Sequence, residues 1–444
     1  MRVLFISEDL IAGDLARILI QEGHSVKLFI RNKEQRNNFE GIVPKIDDWK
    51  KELSWVGKEG LIVFDDVGFG KIQNGLRKKG YRVVGGSEQG DRFELDREYG
   101  QEIFKKYGIQ TAPLKDFDDL ADALHFVEKD KRAWVVKQNN HHYSKKLNYV
   151  GALRDGRDVA SFIRSNIGNP HLRKERISLH QRIFGVEIAA GRFFNGNDWV
   201  GPICINLEHT HLFPNNIGPL TSEMGTLAWY TENENNKLWK ATTAKIKPYL
   251  QEIGFKGYID INCIVNKTGA YALEATARFG SPIIHLQEQL HISPWGELLS
   301  ALADGEKYSL KYRKGYGLVT VMAAPPFPYG DIDKSDLLTG TEIFFDRMTK
   351  KDWESVHFEE VSARHSKEGL QYYISDNRGY VLYVTSSDRS LRKAQEKTHK
   401  LIRKIFFPKM MYREDIGSKF LREDKETLKK LGYIKQDWHD KYLN

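Results

Sequence analysis

Two adjacent stretches carry the side chains with the most chemical use. One runs Tyr258-Ile-Asp-Ile-Asn-Cys-Ile-Val265, and the other Tyr271-Ala-Leu-Glu-Ala-Thr-Ala-Arg-Phe-Gly-Ser-Pro282. Between them lies Asn266-Lys-Thr-Gly269, which predicts a turn and hence an antiparallel pair of strands. Alternate side chains of a strand share a face, so Asp260 goes with Asn262 and Glu274 with Thr276. Gathered on paired strands, these hard oxygen donors suit Mg²⁺, which takes few carboxylates plus phosphate oxygens. Arg278, four residues past Glu274, can grip a phosphate or carboxylate with two prongs. Read alone, the same residues are equally a solvated polar strand end.

Other candidates are more scattered. Lys137 ends the apolar strand 133–137, with Lys145 and Lys146 shortly after. On a strand, His209 and His211 share a face and could chelate, as could His141 with His142, but no third ligand has evident spacing. Cys204 and Cys263, the two cysteines of the chain, sit in apolar runs where a thiol is an inert small hydrophobe. That count excludes a disulfide framework and fits a reducing compartment.

The elements that must position these residues read as α/β. Residues 2–6, 25–30, 60–64 and 81–84 are apolar strand runs, with helices over 12–22 and 71–79 between them. This alternation predicts a parallel, helix-covered sheet. Ser7-Glu-Asp-Leu-Ile-Ala-Gly13 lacks the G-x-G-x-x-G spacing, which argues against a dinucleotide site. A single charged helix is expected over 91–107, a hairpin-like pair over 177–183 and 187–194, strands near 317–323, 370–374 and 380–385, and a helix over 390–404.

At 444 residues, the length suits about three domains. With 40% hydrophobic, 12% aromatic and 29% charged residues the chain is globular, and disorder or low complexity over most of it is excluded. No apolar run approaches the ~18 residues of a membrane span, and the start is too short for a signal peptide. A soluble cytoplasmic protein is expected. Lys plus Arg is 68 against 60 for Asp plus Glu, a net charge of +8. This mild excess is compatible with anionic ligands or nucleic acid. The basic stretch 393–409 reads as a solvated helix face, with contact to a large anion as the alternative.

Taken in order along the chain, several segments resemble the ATP-grasp superfamily, specifically phosphoribosylamine–glycine ligase. Glu274-Ala-Thr-Ala-Arg-Phe-Gly-Ser-Pro282 looks like that family's E-F-N-C-R-F-G-D-P strand. Val84-Gly-Gly-Ser87 and Tyr107-Gly-Ile-Gln-Thr111 look like its entry into the central domain, and Trp134-Val-Val-Lys137 like its I-V-V-K strand. Ile183-Phe-Gly-Val-Glu187, Gly218-Pro-Leu-Thr-Ser-Glu-Met-Gly225 and Met411-Tyr-Arg-Glu-Asp-Ile-Gly417 match further landmarks in sequence order. The resemblance implies an amino-terminal parallel-sheet (pre-ATP-grasp) domain over 1–88 and an ATP-grasp region over 89–310 whose lid covers about 112–182. A mixed α+β carboxy-terminal domain over 311–417 and a tail over 418–444 complete it.

By the same resemblance, Lys137 meets the ATP phosphates and adenine edge, the backbone of Gln181, Arg182 and Ile183 forms the adenine hinge, and Glu187 holds the ribose. Glu274 is the main magnesium ligand, with Asn262 or Asp260 as the second. Arg278 lies against the phosphate or acyl phosphate, and Lys145 or Lys146 covers the phosphates. Glu208, His209 and Thr221 fall where the family meets its other substrate. Three segments depart from the pattern, one being the family's G-P-E turn, which here is Phe64-Asp-Asp-Val67. The glycine-rich phosphate loop is replaced by the glycine-free 138–146, and the first loop, G-x-G-G-R-E-H in the family, by the acidic 7–14. The expectation is an ATP- and Mg²⁺-dependent carboxylate–amine ligase. It would phosphorylate glycine or another amino acid and join it to an altered amine, with a nucleotide or nucleic acid base as a candidate. The unaltered phosphoribosylamine–glycine ligase and a catalytically silent nucleotide-binding regulator are the rivals. Partners are small molecules, with nucleic acid as a further candidate and no membrane, in a monomer or dimer.

Overall fold

The computed structural model describes residues 1–138, 148–169, 176–329, 338–367 and 369–434. The amino-terminal sheet has five parallel strands in the spatial order Lys45–Ile46, Ser25–Ile30, Arg2–Ser7, Leu61–Phe64, Arg82–Val84. Val3, Leu4, Phe5 and Ile6 are all fully buried, as a central strand covered on both faces requires. The carboxyl ends of these strands open at one edge, where ligands of such sheets sit.

Residues 91–107 form two helices rather than the one expected, Glu88–Leu95 and Arg97–Lys106. Asp96 leaves helical geometry and caps the second helix by accepting from the Tyr99 amide at 3.1 Å. A short capping side chain there outweighs helical continuity.

A four-stranded antiparallel sheet follows, in the order Leu114–Phe117, Ile177–Gln181, Trp134–Gln138, Tyr149–Val150. Helices Leu120–Lys129 and Arg157–Ile167 close over it with a core of its own that includes Trp134, Val136, Val159 and Ile163. The hairpin expected over 177–194 does not form. Ile177–Gln181 stays in this small sheet while Val186–Asn195 enters the central one. Between them, the Gln181 and Arg182 amides donate to Pro113 O (2.8 Å) and Ala133 O (2.9 Å), which commits the linker to the small sheet.

The central sheet runs Gly269–Thr276, Lys256–Asn266, Val186–Asn195, Trp199–Glu208, Gly225–Thr231, Tyr316–Ala323, Tyr380–Asp388, Val356–Phe358. It therefore continues through position 310, so that strands from both sides of that position share one sheet. A further sheet of Val361–Ser366, Gly369–Ile374, Glu342–Phe345 and Ile405–Phe406 packs at the carboxy-terminal side. The result is the expected α/β architecture, with parallel and antiparallel sheets.

A fully buried charge cluster joins the first helix, Gly13–Gln21, to the carboxy-terminal strands. Asp14 accepts from Arg17 Nε (2.6 Å) and Nη2 (2.7 Å), and lies 3.1 Å from His357 Nδ1. The same His357 nitrogen is 2.8 Å from Glu288, which is 3.1 Å from His285 Nδ1. Burial disfavours charge on His357, yet Asp14 and Glu288 hold its pKa above the ordinary value. Two carboxylates thus meet two cations, Arg17 and His357, inside the chain itself.

The basic helix Leu391–Ile402 turns Leu391, Ala394, Thr398, Leu401 and Ile402 inward, and Lys397 pairs with Asp388 at 2.6 Å. It is a packed surface helix with its charges outward. Among the described residues no helix is long and apolar enough to cross a membrane.

Candidate active site

Four neighbouring strands of the central sheet each bring an oxygen-bearing side chain to one cleft beneath the small sheet. Lys256–Asn266 and Gly269–Thr276 pair antiparallel, with Asn262 opposite Glu274 and Asp260 opposite Thr276. Val186–Asn195 contributes Glu187, and Trp199–Glu208 ends in Glu208. The Asn262 amide joins them, donating to Glu187 Oε1 at 3.0 Å and to Glu208 Oε2 at 3.3 Å. Gly191 faces Asp260 across the ladder, and a Cβ there would collide with the Tyr258 hydroxyl and the Asp260 Cβ. A glycine at 191 is therefore required for Asp260 to sit where it does.

The cleft is electrostatically crowded. Burial pushes Glu208 well above a free glutamate, and Glu187, Asp260 and Glu274 push it further. Asp260 is raised to about 7, burial with Glu94 and Glu274 outweighing Arg278. The Glu187 side chain reaches cleft solvent, yet most of its surroundings are protein; that desolvation raises it, with Glu274 adding and Asn262 opposing. Lys137, on the facing strand Trp134–Gln138, opposes part of this charge at Glu187. The donors are all hard oxygens under mutual repulsion, which is the environment that fits Mg²⁺. Glu274, Asn262 and Asp260 are the residues that could hold it, with Glu208 beside them.

The expected adenine hinge is the linker between the two sheets. The amides of Gln181 and Arg182 are engaged as described, and the Arg182 guanidinium bonds Gly151 O and stacks on Phe184 at 4.7 Å. Ile183 follows, half-buried. The buried His180 precedes the hinge; burial lowers it to about 3, with Lys137 and Arg97 adding to the effect. Lys145, Lys146, His141 and His142 lie outside the described residues.

Arg278 extends the cleft toward the amino-terminal domain. Its Nε donates to Glu94 at 2.9 Å and lies 3.4 Å from Asp66, and Glu94 also accepts from the Ala277 amide at 2.7 Å. Asp66 belongs to the 64–67 segment that departs from the family pattern, whereas Glu94 has no sequence signal beyond its place in a capped helix. Glu223 is another buried acid, its carboxyl raised by burial and by Glu208.

The histidine pair resolves differently from a chelate. His209 Nδ1 meets Gly225 O at 3.1 Å, and its Nε2 accepts from the Gly417 amide at 3.0 Å. Both nitrogens are committed to backbone, and burial lowers the pKa to about 4. His211 Nδ1 meets Gly218 O at 3.0 Å. His209 therefore holds backbone, next to Glu208, and leaves no ring nitrogen for a metal. Thr221 is likewise tied to its own loop, its Oγ1 donating to Thr210 O at 2.8 Å.

Comparison with known proteins agrees with this geometry. Residues 95–283 match the phosphoribosylglycinamide synthetase ATP-grasp (A) domain. The chain is 24% identical over 361 residues to a phosphoribosylamine–glycine ligase of Halalkalibacterium halodurans, covering 79% of this chain and 80% of that protein. It is 22% identical to one of Fusobacterium nucleatum, covering 91% and 93%. Among solved structures, phosphoribosylamine–glycine ligase from Thermotoga maritima superposes with a TM-score of 0.69 at 20% identity, covering 94% of this chain and 100% of that one. Biotin carboxylase from Campylobacter jejuni, in an ATP-type complex, shares the fold with a TM-score of 0.60 at 10% identity. Residues 95–283 thus match an ATP-grasp domain, and the chain is similar over most of its length to the phosphoribosylamine–glycine ligases.

Proposed function

We propose that the protein is an ATP-dependent carboxylate–amine ligase. The observation that carries this reading is the cleft of Glu187, Glu208, Asp260 and Glu274 around Asn262, faced by Lys137 from the small sheet. Such a wall has too much negative charge for a resting structure and the right donors for metal-bound triphosphate. Magnesium supplies neutralisation of that charge and of the phosphate oxygens when bound.

The chain's own groups then do the following. The small sheet and the 181–183 linker place the nucleotide over the central sheet, and Lys137 offsets charge on the phosphates. An amino-acid carboxylate attacks the γ-phosphorus, so that an oxygen–phosphorus bond forms and the bond to ADP breaks. Arg278, fixed by Glu94 and Asp66, stands between the cleft and the amino-terminal sheet, where the acyl phosphate must meet its amine. The amine nitrogen attacks the carbonyl carbon, phosphate leaves with the electron pair of the C–O bond, and the nitrogen loses a proton to a neighbouring carboxylate. Positioning and fixed charge account for the catalysis, with no covalent enzyme nucleophile. Burial raises Cys204 to about 12, which makes it a poor candidate for that role.

The relatives' names put glycine and phosphoribosylamine first among pairs to assay. The acidic 7–14 segment favours a different amine. The test is ADP release by the full chain with Mg-ATP, a panel of amino acids, and hydroxylamine as a small neutral acceptor. Amino-acid-dependent hydroxamate supports the ligase. ATP binding without hydroxamate for any amino acid would instead indicate a nucleotide-binding regulator.

A further inference from the structure

The carboxyl edge of the amino-terminal sheet adjoins Arg278 and is strongly acidic. Glu8 and Asp9 follow Arg2–Ser7, and Asp65 and Asp66 follow Leu61–Phe64. Asp91 and Glu94 come from the next helix, with Asp91 accepting from the Gly70 amide at 2.6 Å. The carboxy-terminal domain closes the other side with Glu359, Glu360 and Asp376. Arg378 ties the two sides together, donating to Asp9 O and Glu359 Oε1, each at 3.2 Å, and to Glu360 Oε1 at 3.3 Å.

Three arginines enter this mouth, and each is already held by its acids. Arg31 is bound to Glu8, Arg278 to Glu94 and Asp66, and Arg378 to Glu359 and Glu360. Nine carboxylates thus face three guanidiniums. A dianionic phosphate arriving here would meet no uncommitted guanidinium and several repelling carboxylates. The first loop offers no relief, because it presents Glu8 and Asp9.

A second observation separates this mouth from an ordinary acidic patch. Asp65 is fully buried, with Oδ2 accepting from Ser7 Oγ (3.0 Å) and the Ala12 amide (2.9 Å), while its Oδ1 has no partner. Glu359 is 6% exposed, and its Oε2 also has no partner. Buried carboxylate oxygens left unsatisfied are costly. Asp91 Oδ1 is a third in this mouth, whereas Glu288 Oε1 and Asp158 Oδ1 lie outside it. Burial, together with Asp66, raises Asp65 to about 8. Burial likewise raises Glu360 to about 8, although Arg378 opposes it.

We infer that the acceptor is a cationic amine without a phosphate, a diamine or similar polyamine whose second ammonium is held by the Asp9, Glu359 and Asp376 side of this mouth. Its free amino group would then reach past Arg278 to the acyl carbon in the cleft. The inference rests on the ligase reading and specifies its acceptor. The group transfer is the one given above, with the diamine nitrogen forming the amide and phosphate leaving.

The test uses the full chain with Mg-ATP and the amino acid that gives hydroxamate. Four acceptors are compared: hydroxylamine, 1,4-diaminobutane, butylamine, and phosphoribosylamine formed in situ from ribose 5-phosphate and ammonia. The expected KM for 1,4-diaminobutane is at least tenfold below that for butylamine. The variants Asp9→Asn and Glu359→Gln, combined, should erase that tenfold preference by raising the diamine KM. Equal KM values for the two alkyl amines would overturn the inference, as would turnover with phosphoribosylamine exceeding that with the diamine. Hydroxamate formation without diamine turnover would also overturn it and leave the ligase standing. Absence of hydroxamate would remove the ligase reading itself. Calorimetric titration of 1,4-diaminobutane then still reports on the mouth, with binding at least tenfold tighter than butylamine expected and equal binding contradicting it.

Discussion

Clustered carboxylates occur in two settings in this chain, and they are treated in opposite ways. At the junction of the first helix with the carboxy-terminal strands, Asp14 and Glu288 are matched by Arg17 and His357 within hydrogen-bonding distance. In the cleft, Glu187 and Glu208 share the Asn262 amide, and Asp260 and Glu274 add to the repulsion on Glu208. The contrast teaches which acids serve the fold and which await a ligand. A charge matched inside the chain holds domains together, whereas a charge left unmatched is a cost tolerated for binding.

The sharpest way to break this division is Glu274→Gln. Loss of the main metal-facing carboxylate should lower ADP release by about 100- to 1000-fold, since a bound metal contributes several kcal/mol to the transition state. The melting temperature of the free protein should hold. The matched cluster should respond the other way. Asp14→Asn leaves Arg17 without its paired carboxylate and His357 with Glu288 alone, and should cost about 3 kcal/mol of stability in urea unfolding.

A subtler comparison lies inside the cleft. Glu208→Gln removes a repelled carboxylate and should raise stability by about 1 kcal/mol while abolishing turnover. If that variant is less stable than wild type, the cleft is not strained by its charge.

The pH dependence follows from the raised carboxyls. Asp65 is lifted to about 8 and Asp260 to about 7, so the folded chain binds protons that the unfolded chain has released above pH ~4. Stability should therefore fall as pH climbs from 5 to 8, by up to about 1.4 kcal/mol per unit for each group. Asp65→Asn should flatten part of that slope in thermal melts followed across this range. The smallest effect is expected on the outer face of Leu391–Ile402. Lys393→Gln should stay within about 0.5 kcal/mol of wild type. It should leave ADP release unchanged.

Much of the cleft was legible in the sequence. The period-two pattern and the turn at 266–269 paired Asp260, Asn262 and Glu274 correctly, because strand faces are set by local alternation. Lys137 and Glu187 came only through family resemblance, since one lysine and one glutamate carry no spacing signal. Asp66 lies in the 64–67 segment that departs from the family pattern, but its contact with Arg278, like that of Glu94, depends on tertiary packing. The expected hairpin at 177–194 failed for a similar reason. Its two strands have the right pattern, but Pro113 O and Ala133 O claim the intervening amides for the small sheet. The pairing of His209 with His211 was also misleading, because the Gly225 carbonyl and the Gly417 amide, both remote in sequence, occupy the first ring.

The central claim is that a carboxylate oxygen of the amino acid attacks the γ-phosphorus of ATP in this cleft. It is tested most directly with an amino acid carrying oxygen-18 in its carboxyl group, Mg-ATP, and hydroxylamine as acceptor. Mass spectrometry of the released phosphate should show one labelled oxygen for each hydroxamate formed. Unlabelled phosphate, with ADP still produced, would mean that water attacks ATP instead and would contradict the ligase.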